Sequence, residues 1–520
     1  MIVYPLGFDQ AIFEVGGAMI AKNGAVPFRD YIELKQPLIF YLYSLSTALF
    51  GRHEYSIRLL DILYHIGCLV LLHRLIVRAY KNTGIANIAV ICYAVYYVST
   101  GFWMTAEVES FALLPQLLIA WLLFSNRSAN SNWIWPPALI ALNIIVLIWM
   151  KLTLGVIAAA VGLFYLLDPG MPLKHRIRSL LSFAFFLVIG FGFSIAVLKS
   201  LSAWDNTVLS FKWLSNYALY YPLLSIETFK AFYSKIFVWQ TVASFTPTLL
   251  ILGIVALVRK PLSLSGSEEQ TPIEHSFRLF CLLGFAVSLL GVMAERKGFN
   301  YHYIRGAWYL TPLVAETIYA QSIKWYGILK QHLRSFSFAS LIFCAVSGAV
   351  ILIGCTFSPL PRLFDQPLSW IMMLARNDQS ATEQKLSSYN YNVSEMRQVV
   401  EKYKGELTAA DNIFLWGNSA QLYYFFDRLP TTISIVNIVF ITRATPDEWN
   451  KQLADQLKGR PPKLFICEYN DERPLISGST EDSYTILMKN PFISPILVTN
   501  YELADSTAHY KIYRLKVGGK

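Results

Sequence analysis

Charge is what this sequence has little of. Of its 520 residues, 15% are Asp, Glu, Lys or Arg, against 55% hydrophobic. A soluble globular chain carries roughly 25% charged residues. The deficit excludes a soluble enzyme and a disordered chain. Cysteine is sparse too: Cys68, Cys92, Cys281, Cys344, Cys355 and Cys467 form no CxxC pair, and five lie inside apolar runs. That excludes a disulfide scaffold and points to no zinc site. Walker loop, GxGxxG and HExxH are absent, so no soluble nucleotide or zincin site is indicated. There is no internal repeat, which argues against the repeated halves of many transporters.

Aromatic residues, by contrast, are abundant at 15%, as where rings belt a membrane interface. The formal charge of +10 is assigned to lipid headgroups rather than nucleic acid, because the chain is so apolar. The expected class is a polytopic membrane protein with a soluble appendage.

A span of about 20 residues crosses a ~30 Å hydrocarbon core. Apolar runs place about ten spans near 57–80, 85–101, 110–125, 134–150, 151–167, 179–199, 236–258, 278–294, 304–321 and 336–357. Lys151 is the single charge in the 134–167 stretch and marks the turn between two short spans. Segment 37–50 is too short to cross comfortably and reads as a helix lying on the membrane surface. With that parity, one face collects the basic residues of 74–81, 127, 174–178, 259–278 and 324–334, which outnumber those in the loops of the other face. Positive-inside puts the richer face in the cytoplasm. Residues 1–56 and 358–520 are then external.

The expected architecture is a polytopic all-α membrane domain over 57–357, preceded by an external loop (1–56) with interfacial helices. A linker (358–379) leads to an external α/β domain over 380–520. In that tail, 412–416, 463–467 and 509–515 read as short strands and 446–458 as a helix.

Four polar clusters fall on the external face. Asp9 opens a stretch with Ile12, Val15, Met19 and Ile20 on one side, ended by Gly24 and Pro27. Read locally, Asp9 is first a helix N-cap. Glu107 and Glu109 stand at the mouth of the span from 110, where acids also suit a helix start. Lys151 reads either as a snorkelling lysine or as a functional cation at membrane depth. Arg296, Lys297, His302, Tyr303 and Arg305 precede a span, as a basic aromatic anchor would. Their gathering on one face is the stronger argument. Carboxylates and cations beside lipid suit a reaction on a lipid-linked phosphate.

The order FDQ, G-x-x-P-F-R-D-Y, K-Q-P-L-x-x-Y-L, F-G and S-I-R-L resembles the first external loop of the GT-C glycosyltransferases. Within these it is similar to the bacterial branch that includes protein O-mannosyltransferase-like enzymes and the lipid A aminoarabinose transferase. The Glu109 loop, the Lys151 turn, R-K-G-F-N-Y-H-Y and the tail DNIFLWGNSAQLYYFFDRLP follow in that family's order. The resemblance implies an inverting transferase in the bacterial cytoplasmic membrane. It would pass a sugar from a polyprenyl phosphate to a lipid, glycan or protein acceptor on the outer face. It implies Asp9 as catalytic base and Glu109, with Glu107, as a second acid near the site. It implies Lys151, Arg296, His302 and Arg305 as contacts of the donor phosphate. Members usually carry Asp-Glu where this chain has Asp9-Gln10. If the second acid ligates a metal in some members, its loss puts metal dependence in doubt here; a divalent metal stays open as a cofactor, and no metal ligand is assigned. The usual first span before Asp9 is also absent, as in a shortened reading of the gene.

Three rivals remain at this stage, one of them a non-catalytic membrane scaffold, which an Asp9→Asn variant with no loss of activity would favour. A transporter or flippase would use Asp9, Glu109 and Lys151 near the midplane of spans. An O-antigen polymerase or ligase would take a diphosphate-linked donor and needs no acid like Asp9.

Overall fold

The computed structural model describes residues 1–2, 4–125, 134–219, 272–296, 299–335, 368–376, 379–387 and 392–516. The expected spans at 236–258 and 336–357 lie outside the described residues. The chain divides into two compact units. One comprises Met1–Ile2, Arg58–Gly192 and Leu223–Ser369; the other comprises Val3–Ile57, Phe193–Pro222 and Trp370–Lys520.

The first unit is helical. Its elements are α3 (Glu54–Tyr80, entering from the second unit), α4 (Thr83–Ser99), α5 (Val108–Phe111), α6 (Leu113–Ser125), α7 (Trp135–Met150), α8 (Ile157–Leu167), most of α9 (Leu173–Ser200), α11 (Pro272–Glu295) and α12 (Ile304–Ser335). Among the described residues, four helical stretches are long and apolar enough to cross a membrane: Glu54–Tyr80, Val108–Ser125, Leu173–Ser200 and Pro272–Glu295. Others, including Thr83–Ser99 and Trp135–Met150, are apolar but shorter. α4 packs on α12, and α11 packs on both α8 and α12. The core includes an aromatic cluster: Phe124 meets Phe164, Phe277 and Phe280 edge-on at 5.2–5.9 Å, the geometry that ring quadrupoles favour. Lys151 stands where the sequence puts a turn, between α7 and a 3-10 turn at Leu152–Val156.

The second unit joins three separate pieces of chain. α1 (Phe8–Asn23) ends at Gly24, which takes the left-handed conformation at φ 64° and returns its N–H to Ile20. That closure is the usual use of glycine just past a helix. Residues Gln10 to Met19 of α1 are all buried, so its contacts run around the helix rather than along one stripe. It packs against α2 (Leu38–Phe50), with Phe13 edge-on to Phe40 and Tyr43.

α10 (Trp204–Leu219) joins this unit from a stretch that the sequence reads as a loop between spans. Its Trp213 is fully buried among Phe414, Trp416 and Phe465, and Trp213 Nε1 donates to Thr442 Oγ1 at 2.9 Å.

The tail forms a four-stranded sheet in the order β1-β2-β4-β3. β1 (Ile413–Trp416) runs parallel to β2 (Leu464–Glu468); β4 (Tyr510–Leu515) lies antiparallel to β2 and to β3 (Tyr501–Ser506). Three strands and the Asp447–Gly459 helix stand where the sequence puts them. β3 is the addition, an edge strand whose side chains are mostly exposed or half-buried.

Candidate active site

In the first unit, five ionisable side chains meet at helix ends. Glu109 lies in the first turn of α5, Lys151 at the break after α7, Glu295 at the last residue of α11, His302 in the following turn and Arg305 at the second residue of α12. The loop before α5 is fixed from beneath. Arg58 of α3, fully buried, donates to Thr105 O at 2.9 Å, Thr105 Oγ1 at 2.8 Å and Phe102 O at 3.0 Å. Tyr97 of α4 donates to Asp61 at 2.8 Å, and its oxygen accepts Ala106 N–H at 3.1 Å. Glu107 caps α5 in a reciprocal box with Ser110. Glu109 is the acid that joins the cluster.

Glu109 Oε1 accepts from Lys151 Nζ and from Arg305 Nη2, each at 2.7 Å. Glu295 completes a closed ring: its Oε2 lies 2.9 Å from Lys151 Nζ and 2.8 Å from His302 Nδ1, and its Oε1 lies 2.6 Å from Arg305 Nη2. Thr153 also donates to Glu295. Burial pushes the His302 pKa down to about 4 despite the neighbouring carboxylates, so the imidazole is neutral near pH 7. Two carboxylates then balance two cations. Glu109 Oε2 is buried and accepts no hydrogen bond among the described residues.

Glu109, Glu295 and His302 offer ligand atoms within 4.8 Å of one another. A resident divalent ion there would sit against the Lys151 ammonium and the Arg305 guanidinium, which already neutralise both carboxylates. Two carboxylates and a neutral imidazole are donors that a divalent ion can use; here both carboxylates are also paired with cations.

Of the expected phosphate contacts, Lys151, His302 and Arg305 come together. Arg296 follows Glu295 with φ 56°, ending α11. Glu295 was not read from the sequence as a site residue, because Arg296 and Lys297 beside it made the segment look like a basic anchor.

Asp9 belongs to the second unit. It is not the N-cap of α1. Gly7 holds that position, and Asp9 lies in the first helical turn with no capping bond from the Gly7 position. Asp9 Oδ2 instead stands 3.4 Å from Lys35 Nζ, with the two side chains 29% and 13% exposed. The residual exposure leaves the carboxylate reachable. The loop carrying Lys35 is tied down by Ile32 N–H to Ile433 O at 2.8 Å. Nearby Glu33 is buried, and that burial raises its pKa to about 7.

The family model described as dolichyl-phosphate-mannose-protein mannosyltransferase matches residues 35–195, a stretch that contains Lys35, Glu107, Glu109 and Lys151. No curated protein matches the chain. Among solved structures, the chain is similar to ArnT from Cupriavidus metallidurans in its apo state, with TM-score 0.57 and 12% identity over 98% of this chain and 94% of that one. The same protein bound to undecaprenyl phosphate gives TM-score 0.54 and 12% identity over 99% and 95%. The chain has the fold of the GT-C membrane glycosyltransferases. The GT-C fold carries over both the helical part and the C-terminal sheet region of this chain, as the opening motifs led one to expect.

Proposed function

We propose that this GT-C chain is an inverting glycosyltransferase that moves a sugar from a polyprenyl phosphate to an acceptor hydroxyl or amine. The reaction is assigned to the outer face of the bacterial cytoplasmic membrane, with the 1–56 loop and the C-terminal domain external. The acceptor class is a lipid, glycan or protein. The observation that carries the reading is the ring of Lys151, Arg305, Glu109 and Glu295 at helix termini. Helix ends are where an embedded lipid presents its phosphate, whereas a transport site would sit near mid-span. The ArnT structure solved with undecaprenyl phosphate supports the choice of lipid carrier.

The chemistry has two demands. The acceptor must lose a proton as its oxygen attacks the anomeric carbon, and charge must be met as the bond from that carbon to the phosphate oxygen breaks. The Asp9 carboxylate takes the proton, as a general base. The electron pair of the breaking bond leaves on the polyprenyl phosphate, and Lys151 and Arg305 meet that charge from preorganised positions. Glu109 and Glu295 hold the two cations in place before the donor arrives, and neutral His302 adds a hydrogen-bonding group without charge. Glu109 Oε2, with no described donor, is the acceptor left for a sugar hydroxyl.

The test is direct. Purified protein is incubated with a panel of labelled polyprenyl-phosphate sugars, and transfer or slow hydrolysis is followed. Release of the sugar from one donor, lost in Asp9→Asn, is expected. Turnover confined to diphosphate-linked oligosaccharides would instead favour a polymerase or ligase.

A further inference from the structure

The carboxyl ends of β1 and β2 reach the segment that leads into Asp9, all within the second unit. Gln421 is 1% exposed, and its Nε2 donates to the Gly7 carbonyl at 3.1 Å. That carbonyl already accepts Ala11 N–H at 3.0 Å. Gly7 therefore does not need Gln421 to be satisfied. What the second bond adds is orientation of the first turn of α1, two residues before Asp9. A second arm reaches the next residue: the Arg473 guanidinium lies 5.8 Å from the centre of the Phe8 ring, within cation–π range.

Both arms trace back to one buried carboxylate. Glu468, the last residue of β2, is 3% exposed. Its Oε2 accepts Asn418 N–H at 2.7 Å and lies 3.4 Å from Arg473 Nη2. Its other oxygen accepts from Ser419, whose hydroxyl also bonds Tyr510 OH at 2.8 Å. Gly417 makes the approach feasible, since a Cβ there would fall 2.6 Å from Glu468 Cγ. Glu468 thus pins the turn that carries Gln421 and, with Asp471 3.7 Å from Arg473 Nε, anchors Arg473.

We propose that Gln421 and Arg473 are positioning residues for the Asp9 base, with Glu468 holding both, so that the C-terminal domain is part of the catalytic apparatus rather than an appendage. This rests on the assignment of Asp9 as base. A buried amide whose described bond goes to an already satisfied carbonyl is replaceable by a leucine of similar size at little loss of stability. Its effect on a base that must meet a hydroxyl at hydrogen-bond distance is larger, because misplacement by about 1 Å is worth roughly 100-fold in rate.

The experiment measures kcat, donor KM and melting temperature for full-length Gln421→Leu and Arg473→Gln. Asp9→Asn serves as reference and Leu453→Ala, in the sheet-domain core, as a destabilised control. The expected result for Gln421→Leu is a kcat reduced roughly 10–100-fold with donor KM little changed. Arg473→Gln, at a partly exposed side chain, loses less, and Leu453→Ala keeps its kcat while melting lower. Wild-type kcat in both Gln421→Leu and Arg473→Gln overturns the inference, as does a kcat loss in Leu453→Ala that matches Gln421→Leu. If Asp9→Asn itself turns over normally, the base assignment falls and this inference falls with it. If Asp9→Asn is inactive while the two positioning variants are normal, only the inference is lost.

Discussion

Lys151 Nζ lies 2.7 Å from Glu109 Oε1, joining the break after α7 to the first turn of α5 across 42 positions of sequence. Neither charge would be stable so deeply buried alone, and together they sit 12% and 0% exposed. Removing one partner of such a pair exposes the desolvation of the other. Arg305 bonds both carboxylates and is 1% exposed. Arg305→Met is therefore expected to destabilise the protein by about 3–5 kcal/mol. Lys151→Met is expected to cost less, because Arg305 still bonds both acids and Lys151 is the more exposed cation, at 12% against 1%, and to raise donor KM or lower kcat with the fold retained. Thermal unfolding in detergent and donor titration measure the two effects; equal stability losses would speak against this division of roles.

Glu33 gives a pH prediction. Its pKa is raised from 4.5 to about 7 by burial, so the folded state binds its proton more tightly than the unfolded chain does. Its stabilising contribution is full below pH 4.5 and is lost as pH rises through 7. Glu33→Gln mimics the protonated form. It should match wild type near pH 4.5 and exceed it at pH 8 by on the order of 3 kcal/mol. Unfolding curves at the two pH values decide this, and a variant no more stable at pH 8 contradicts it.

His302 moves the opposite way. Its pKa falls from 6.5 to about 4, so its contribution is present above pH 6.5 and is lost as pH drops through 4. No titration of this imidazole is expected between pH 6 and 8, and the pH–rate profile of His302→Gln should keep the wild-type shape there. An inflection near pH 6.5 that vanishes in the variant would show a charged His302 at work.

α2 has 13 residues, which at 1.5 Å per residue is about 20 Å and short of a ~30 Å core. One side packs inward through Ile39, Phe40 and Tyr43, while Leu45 and Leu49 are 47% and 59% exposed. Such a helix suits the membrane surface. Cysteines introduced at Asn23 and His53 should both label from outside intact cells. Labelling of position 53 only after permeabilisation would make α2 a span and reverse the topology.

Much of this was legible in the sequence, and the reasons are specific. Ile413–Trp416 and Leu464–Glu468 are short apolar runs bounded by turn residues, so they read as strands. Tyr501–Ser506 carries an edge pattern with few buried positions, and the periodicity signal vanished. Lys151 stood out because nothing near it is charged. Glu295 did not, since it closes an apolar helix beside Arg296 and Lys297 and pairs across the fold with residues far away in sequence. Asp9 was readable as a candidate, but local rules favoured a cap; only the backbone shows Gly7 in that position. The Trp204–Leu219 helix was hidden because its aromatic residues resemble an interfacial loop until Trp213 is seen inside the sheet domain core.

The central claim is that Asp9 is the general base, and the turnover of Asp9→Asn tests it most directly. Asp9 does not provide the N-cap of α1, so its replacement by the similarly sized Asn leaves the fold intact. With a defined donor and acceptor, the account predicts a transfer rate lower by roughly 10²–10⁴-fold, with donor binding and melting temperature retained. A folded Asp9→Asn protein that turns over at near wild-type rate would contradict it.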